Sequence, residues 1–148
     1  MHLETIPPLR IAYIRHTGPY GAGGAQAMER LKAWAKFRGL LGEEAVILGI
    51  AQDNPRTTPP DACRYDACLV LDSVDPQDEE IRLGTAGGGN YAVFDIEHTA
   101  QAIGQAWNDI FAEPTKQGLV PDDSRPVIER YAAKMVARHR CELCVPVR

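Results

Sequence analysis

A glutamate within PVIERYAA, residues 126–133, is the residue of this sequence whose surroundings most directly suggest chemistry. The segment otherwise has the composition of a buried strand, and strand alternation places Glu129 between Val127 and Tyr131 on one face. That face is exposed to water, paired with a nearby arginine, or shaped to meet a ligand. A carboxylate held there could serve as the counter-charge of a cation, as a general base or as a nucleophile.

Aromatic residues at the edges and inner faces of the predicted elements give Glu129 potential neighbours. A buried tyrosine needs a partner for its hydroxyl, so tyrosines and tryptophans around one carboxylate are typical of a pocket. Core packing is the alternative, above all for a tryptophan on the apolar side of the first predicted helix. The residues concerned are Tyr20, Trp34, Tyr65, Tyr91, Trp107 and Tyr131.

The four cysteines and four histidines do not form an established metal or redox motif. Cys141 and Cys144 make a single CxxC, but no second CxxC completes a tetrahedral zinc set. Strand alternation also directs these two thiols to opposite faces. The histidines contain no HExxH. We therefore expect four ordinary reduced thiols, no metal and no other cofactor.

Nucleotide-binding and serine-hydrolase motifs are absent as well. The glycine-rich stretches GPYGAGG and GTAGGGN match neither GxGxxG nor the GxxxxGK[ST] phosphate loop, and no GxSxG is present. Glycines in such stretches are typical of turns.

Length and composition predict one soluble domain. The 148 residues are 45% hydrophobic and 24% charged, which is enough for a core of its own. The net charge of -4 and the dispersal of the 16 basic residues disfavour direct nucleic-acid binding. No apolar run is long enough to cross a membrane and no signal peptide is evident, so we expect a cytoplasmic protein without membrane contact.

Periodicity predicts the order strand, helix, strand, strand twice along the chain. Apolar residues at helical spacing define each helix, and Thr99 is a candidate N-cap for the second. A charged, glycine-rich segment between the two units is typical of a linker. The predicted strands are 9–16, 45–52 and 64–74, then 91–98, 126–133 and 141–147, with helices over 25–38 and from 99 to about 112.

The two units show weak internal similarity. A shift of 80 residues aligns Gly49 with Glu129, and a smaller shift aligns Trp34 with Trp107. Together with the matching element order, this favours a duplication.

We therefore predict a single α+β domain over residues 1–148, built from duplicated strand-helix-strand-strand (SHS2-type) units with pseudo-twofold symmetry. An antiparallel sheet would pack on the helices, with a pocket between the halves. The expected bounds are about 9–74 for the first repeat, about 75–88 for the linker and about 89–148 for the second repeat.

Five motifs follow one another in order: IRHTGPY, GIAQDNPRTTPPDACRYDAC, GGGNYAVF, PVIERY and the terminal ELCVPVR. As a set, from about Leu9 to Arg148, they resemble the GyrI-like family. That family includes DNA gyrase inhibitor proteins and the effector-binding domains of AraC-type and multidrug-responsive transcription regulators. The resemblance implies the duplicated fold described above, with a ligand pocket between its halves.

The resemblance also implies pocket residues. The family's pocket glutamate corresponds to Glu129, and its pocket aromatics suggest Tyr20, Trp107 and Tyr131, followed by Tyr91 and Trp34. Two features depart from many relatives. The second unit has EHTAQA where relatives repeat Gly-Pro-Tyr, and only about ten residues precede the first strand, with no helix-turn-helix. A complete chain of this kind would not bind DNA as a regulator by itself.

These observations favour a stand-alone small-molecule-binding domain that sequesters or senses a hydrophobic, cationic drug or toxin. Aromatic walls attract weakly hydrated cations, and Glu129 would supply the counter-charge. Two alternatives remain open. The same glutamate could hydrolyse strained electrophilic toxins, as some relatives do, although no motif requires an enzyme. The domain could instead act on a protein partner, either gyrase or a separate regulator.

Overall fold

A computed structural model describes residues 1–72 and 78–148. The strands are β1 (His2–Thr17), β2 (Val46–Ala51), β3 (Arg64–Val70), β4 (Arg82–Glu97), β5 (Ile128–Ala132) and β6 (Arg140–Val147). The helices are α1 (Ala22–Phe37), α2 (Ala100–Asp109), α3 (Ala112–Lys116) and α4 (Ala133–Val136), and a 3-10 turn covers Pro60–Ala62.

The six strands form one antiparallel sheet in the order β1-β3-β2-β5-β6-β4, which closes because β4 also pairs with β1. The two halves of this sheet have matching registers. Ile14 pairs with Ala67 in the first half, and Phe94 pairs with Leu143 in the second. Shifts of 80 and 76 residues convert the first pair into the second, so the α+β fold with pseudo-twofold symmetry is confirmed.

The pseudo-twofold axis passes beside Gly49 of β2 and Glu129 of β5. These two residues are equivalent under the shift of 80, and they are also direct partners across the ladder that joins the halves. Two positions that are at once equivalent and paired must lie on either side of the axis, which passes between them. The glutamate singled out in the sequence therefore occupies the centre of the sheet.

Alternation along the strands separates an inner core from two outer ones. Ile11, Leu48, Ile50, Val93 and Ile128 are among the buried residues inside the closed sheet. On the outside, α1 covers the first half of the sheet and α2 covers the second. The outer face of β2 and β5 lies between the two helices and is open to a binding site.

The helices form where their apolar spacing predicts. Ala27, Leu31 and Trp34 lie along one side of α1 and are buried against β1 and β3. The hydroxyl oxygen of Thr99 accepts a hydrogen bond from the Ala102 amide (3.1 Å) and caps α2, as the sequence predicts. No helix in the described parts of the chain combines the length and the apolar character needed to span a membrane.

Two strands are much longer than predicted. β1 begins at His2 rather than near residue 9, and β4 begins at Arg82, inside the segment interpreted as a linker. Pro7 and Pro8 in β1 face a run of glycines in β4, and Gly87, Gly88 and Gly89 all have positive φ. Glycine tolerates this backbone, which lets the ladder continue past two prolines. Residues 73–77 of the predicted third strand and linker lie outside the described residues.

The inner face also carries two ion-pair networks. Arg15 donates two hydrogen bonds to the Asp66 carboxylate (2.7 and 2.8 Å), and Gln52 donates a third (3.0 Å). Arg130 bridges two carboxylates, donating to Glu142 (2.9 Å) and twice to Glu4 (2.7 and 3.0 Å). Each network thereby gives a buried carboxylate, Asp66 or Glu142, a basic partner.

Candidate ligand-binding site

A cleft of about 1700 Å³ lies on the outer face of β2 and β5, between α1 and α2. Ile47 and Glu129 contribute to its floor, α1 contributes Met28, and the α2 side contributes Trp107 and Phe111. Pockets for small molecules are typically concave and mostly apolar, with a few polar groups that fix orientation. This cleft has that character, and Glu129 is its central acidic group.

The Glu129 carboxylate is held by two tyrosines. Tyr131 donates its hydroxyl to Oε2 (2.9 Å), and Tyr65 donates to Oε1 (3.4 Å). Tyr131 is two residues away on the same strand face, whereas Tyr65 reaches across from β3. The His98 ring packs on Tyr131 with 5.2 Å between ring centroids.

Two glycines make room for Tyr65. A methyl group at Gly49 would overlap the Tyr65 hydroxyl and would come within 2.8 Å of Glu129 Oε1. A methyl group at Gly24 on α1 would lie 3.1 Å from the Tyr65 ring. Strand β2 thus carries no side chain at the point where Tyr65 crosses it, and this gap allows the contact with Glu129.

Burial raises the pKa of Glu129 above its ordinary value, and the two tyrosine hydrogen bonds lower it by less. Burial, reinforced by the Glu129 charge, likewise raises the pKa of Tyr131 and of Tyr65. In residues 1–72 and 78–148, none of the ion pairs involves Glu129. Its charge is therefore poorly compensated within the protein.

We expect Glu129→Gln to be more stable than the wild type at neutral pH, by about 1 kcal/mol or about 2 to 4 °C in melting temperature. When folding raises the pKa of a carboxyl group, the protein loses stability as the pH rises from the unfolded-state pKa of that group through its folded-state pKa. The amide does not ionise, so the difference should vanish below about pH 4.

Thermal melts of both proteins between neutral and acidic pH measure this difference. Glu29→Gln, an exposed position on α1, serves as the control and should follow the wild type at every pH. A Glu129→Gln variant less stable than the wild type at neutral pH would contradict the expectation.

The cleft also includes Tyr20 and Trp107. Trp107 packs against Phe111 with 6.4 Å between ring centroids. The Tyr20 hydroxyl is fully engaged with the backbone: it accepts from the Asp53 amide (3.0 Å) and donates towards the carbonyls of Asp53 (2.8 Å) and Arg64 (3.1 Å). The structure thus brings together Glu129, Tyr131, Tyr20 and Trp107.

Tyr91 and Trp34, the other two aromatics suggested by the family, do not line the cleft. Tyr91 is 1% exposed inside the closed sheet, where the Arg125 guanidinium lies over its ring, because alternation gives it the same face as Val93. Trp34 packs between α1 and the sheet and donates its indole N–H to Asp78 (2.9 Å). The alignment of Trp34 with Trp107 therefore joins residues in different surroundings.

His98 is a cleft residue that we did not select from the sequence, and Tyr65, one of the aromatic residues considered as neighbours of Glu129, was not among the pocket residues implied by the family resemblance. Tyr65 follows Arg64 in RYDAC, and alternation gives it the same outer face as Ala67. The available signal was Gly49, a glycine inside an apolar strand, which is typical of a close approach by another group. Recognising that group as Tyr65 requires the strand order.

The described residues contain no group of three or more His, Cys, Asp or Glu side chains placed to hold a metal ion. All four cysteines are unpaired and buried. Cys144 lies in the inner core, and its neighbour in the CxxC, Cys141, points to the opposite face, as alternation predicts. Burial raises the pKa of Cys141 to about 11, which makes its thiol a weak nucleophile.

Residues 1–148 match a family model described as the GyrI-like small molecule binding domain. The SPbeta prophage-derived protein YosT of Bacillus subtilis (strain 168), named as a transcriptional regulator, is 41% identical over 146 residues, which cover 98% of this chain and 97% of YosT. A DNA gyrase inhibitor of Edwardsiella ictaluri (strain 93-146) is 33% identical, covering 91% and 89%. The structure of SAV2435 bound to tetraphenylphosphonium superposes with a TM-score of 0.63 at 17% identity, covering 99% and 93%.

Proposed function

The chain belongs to the GyrI-like small-molecule-binding family, and from the geometry of its cleft we propose that it binds a hydrophobic cation beside Glu129. The observation that carries the proposal is a carboxylate at the centre of an aromatic cleft, held by two tyrosine hydroxyls and by no basic side chain of the described chain. A cationic ligand would supply the missing charge.

The surroundings of Glu129 support a weakly hydrated cation rather than a metal ion. Tyr65, Tyr131 and Trp107 offer ring faces, and attraction of a cation to such faces contributes about 0.5 to 2 kcal/mol. Two basic side chains of the cleft have carboxylate partners of their own, in the pairs Arg64–Asp53 and Arg125–Asp122. They leave the Glu129 charge available to a ligand.

Tetraphenylphosphonium, the cation bound in the SAV2435 structure, is a suitable probe because its charge is shielded by four aromatic rings. Triphenylphosphine oxide is a neutral compound of similar shape. Comparing the two separates selection for charge from simple filling of an apolar space.

We expect tetraphenylphosphonium to raise the melting temperature of the wild type, since a ligand at one hundred times its dissociation constant adds about 2.7 kcal/mol of stability. Affinity should fall at least about tenfold in Glu129→Gln, the size of one charge-assisted contact. Acidification should also weaken binding to the wild type, because protonation of Glu129, whose pKa is raised by burial, removes the counter-charge. Isothermal titration at several pH values measures these affinities.

Glu29→Gln is the matched control and should bind as the wild type does. Equal affinity of the wild type and Glu129→Gln for the cation, or equal affinity of the wild type for the cation and the neutral compound, would refute the proposal. Incubation with strained electrophiles tests hydrolysis in the same samples. Turnover that depends on Glu129 would make the protein an enzyme instead.

An action on a protein partner is the second candidate, because one relative is named a DNA gyrase inhibitor. A supercoiling assay with purified gyrase tests it directly. Inhibition that persists in Glu129→Gln would place that action on a surface separate from the cleft.

The proposed role of the protein is to sequester or sense its ligand in the cytoplasm, where unpaired thiols stay reduced.

A further inference from the structure

Tyr20 is the cleft residue whose position is least explained by contact with a ligand. Its ring lines the cleft, but its hydroxyl makes three backbone contacts with Asp53 and Arg64. A hydroxyl has one proton to donate and two lone pairs, so little capacity remains for a bound molecule.

The contacts of Tyr20 fix one wall of the cleft. We define the wall segment as residues 53–57, all of which line the cleft. An Asx turn stabilises it internally, since Asn54 accepts from the Arg56 amide (2.9 Å). The Asp53 carboxylate also accepts three hydrogen bonds from Arg64, one from its backbone amide (2.8 Å) and two from its guanidinium (2.9 Å each). These contacts hold the side chain of Asp53, whereas Tyr20 holds its backbone amide and carbonyl.

Tyr20 is itself held in a defined place. It sits between Gly18 and Gly21, whose φ angles of 148° and 129° produce the sharp turn from β1 into α1. The Gly18 amide donates to the Cys63 carbonyl (2.7 Å), which ties this turn to the end of the same connection that carries the wall segment.

The second half of the fold has no counterpart to this arrangement. The N-caps of α1 and α2, Gly21 and Thr99, are 78 residues apart, so the counterpart of Tyr20 is His98, which has no hydroxyl and packs on Tyr131 instead. The Tyr20 hydroxyl therefore anchors the wall segment between β2 and β3, whereas the corresponding position near α2 has no such hydroxyl.

We propose that Tyr20 is a positioning residue, whose hydroxyl pins the wall segment and thereby sets how long a ligand stays in the cleft. Only the ligand part of this inference rests on the proposed function. The hydroxyl acts through the wall segment and not by touching the ligand.

Amide hydrogen exchange in the free protein tests the pin without any ligand. The Asp53 amide donates to the Tyr20 hydroxyl, so Tyr20→Phe should make it exchange about tenfold faster, the effect of losing such a hydrogen bond. Tyr13→Phe is the matched control, since Tyr13 packs with the inner core and does not line the cleft. It should leave the Asp53 amide unchanged.

Stopped-flow tryptophan fluorescence with tetraphenylphosphonium tests the consequence for binding. Tyr20→Phe should dissociate about tenfold faster, with a smaller change in the association rate, because the ring face remains in place. A merely structural role of Tyr20 would lower the melting temperature and leave the dissociation rate of the folded protein as in the wild type.

The possible results separate this inference from the proposed function. Unchanged exchange at Asp53, or an unchanged dissociation rate in a variant that binds, would overturn the role of Tyr20 while leaving the cation site intact. If the wild type binds neither tetraphenylphosphonium nor the neutral compound, the proposed function fails. The exchange result then decides by itself whether Tyr20 pins the wall.

Discussion

Replacing Arg130 by methionine should destabilise the protein by about 3 to 5 kcal/mol, because removal of one partner leaves buried charges uncompensated. Arg130 donates to Glu142 and Glu4, and the Glu142 side chain is only 10% exposed. Methionine fills similar space but provides no hydrogen bonds. Urea unfolding of both proteins at neutral pH measures the loss.

The pH dependence of that loss identifies its electrostatic origin. Arg130 holds the pKa of Glu4 below its ordinary value, so this stabilisation is present above the unfolded pKa and disappears as pH falls through the folded one. The gap between wild type and variant should therefore narrow on acidification. Adding Glu142→Gln to Arg130→Met should recover part of the loss, whereas the exposed Arg138→Met should cost little. A gap of the same size at acidic pH would indicate a packing defect instead.

Substituting alanine for Gly49 should lower affinity for a cationic ligand about a hundredfold, or about 2.7 kcal/mol. The new methyl group would displace the Tyr65 hydroxyl and Glu129 Oε1 together. Both the charged group of the cleft and one of its aromatic walls would therefore be displaced. Titration with tetraphenylphosphonium measures the effect.

Two further variants test whether this effect comes from the overlap. Gly104→Ala on α2, where a methyl group meets nothing within 4 Å, should keep the affinity and stabilise the helix by up to about 1 kcal/mol. Tyr65→Phe combined with Gly49→Ala removes the overlapping oxygen and should restore part of the affinity. A Gly49→Ala protein that binds as tightly as the wild type would show that the Tyr65–Glu129 contact does not matter for binding.

Local patterns predicted the parts of the cleft that lie close together along the chain. Glu129 and Tyr131 share a strand face by simple alternation, and their contact in the structure follows directly. The Tyr65 contact crosses an intervening strand and depends on Gly49 having no side chain. Periodicity does not reveal which strands become neighbours, so the contact between Tyr65 and Glu129 could be recognised only in the structure.

The fold was predicted, but the starts of β1 and β4 were predicted wrongly for an equally local reason. The alternation that predicted β1 was recognised only after Pro7 and Pro8, and the charged, glycine-rich segment was interpreted as a linker where β4 runs. Each feature interrupts a strand when taken alone. Placed opposite one another, the glycines provide the backbone freedom that the prolines require, and the pairing continues.

The location of Glu129 beside the pseudo-twofold axis determines how many carboxylates lie at the centre of the cleft. In a perfectly repeated chain, positions 49 and 129 would be the same residue, so the cleft would contain two facing carboxylates or none. Two would repel each other, and none would leave a neutral cavity. With glycine in one half and glutamate in the other, the domain carries a single carboxylate at this position, which one monovalent cation neutralises under the proposed function.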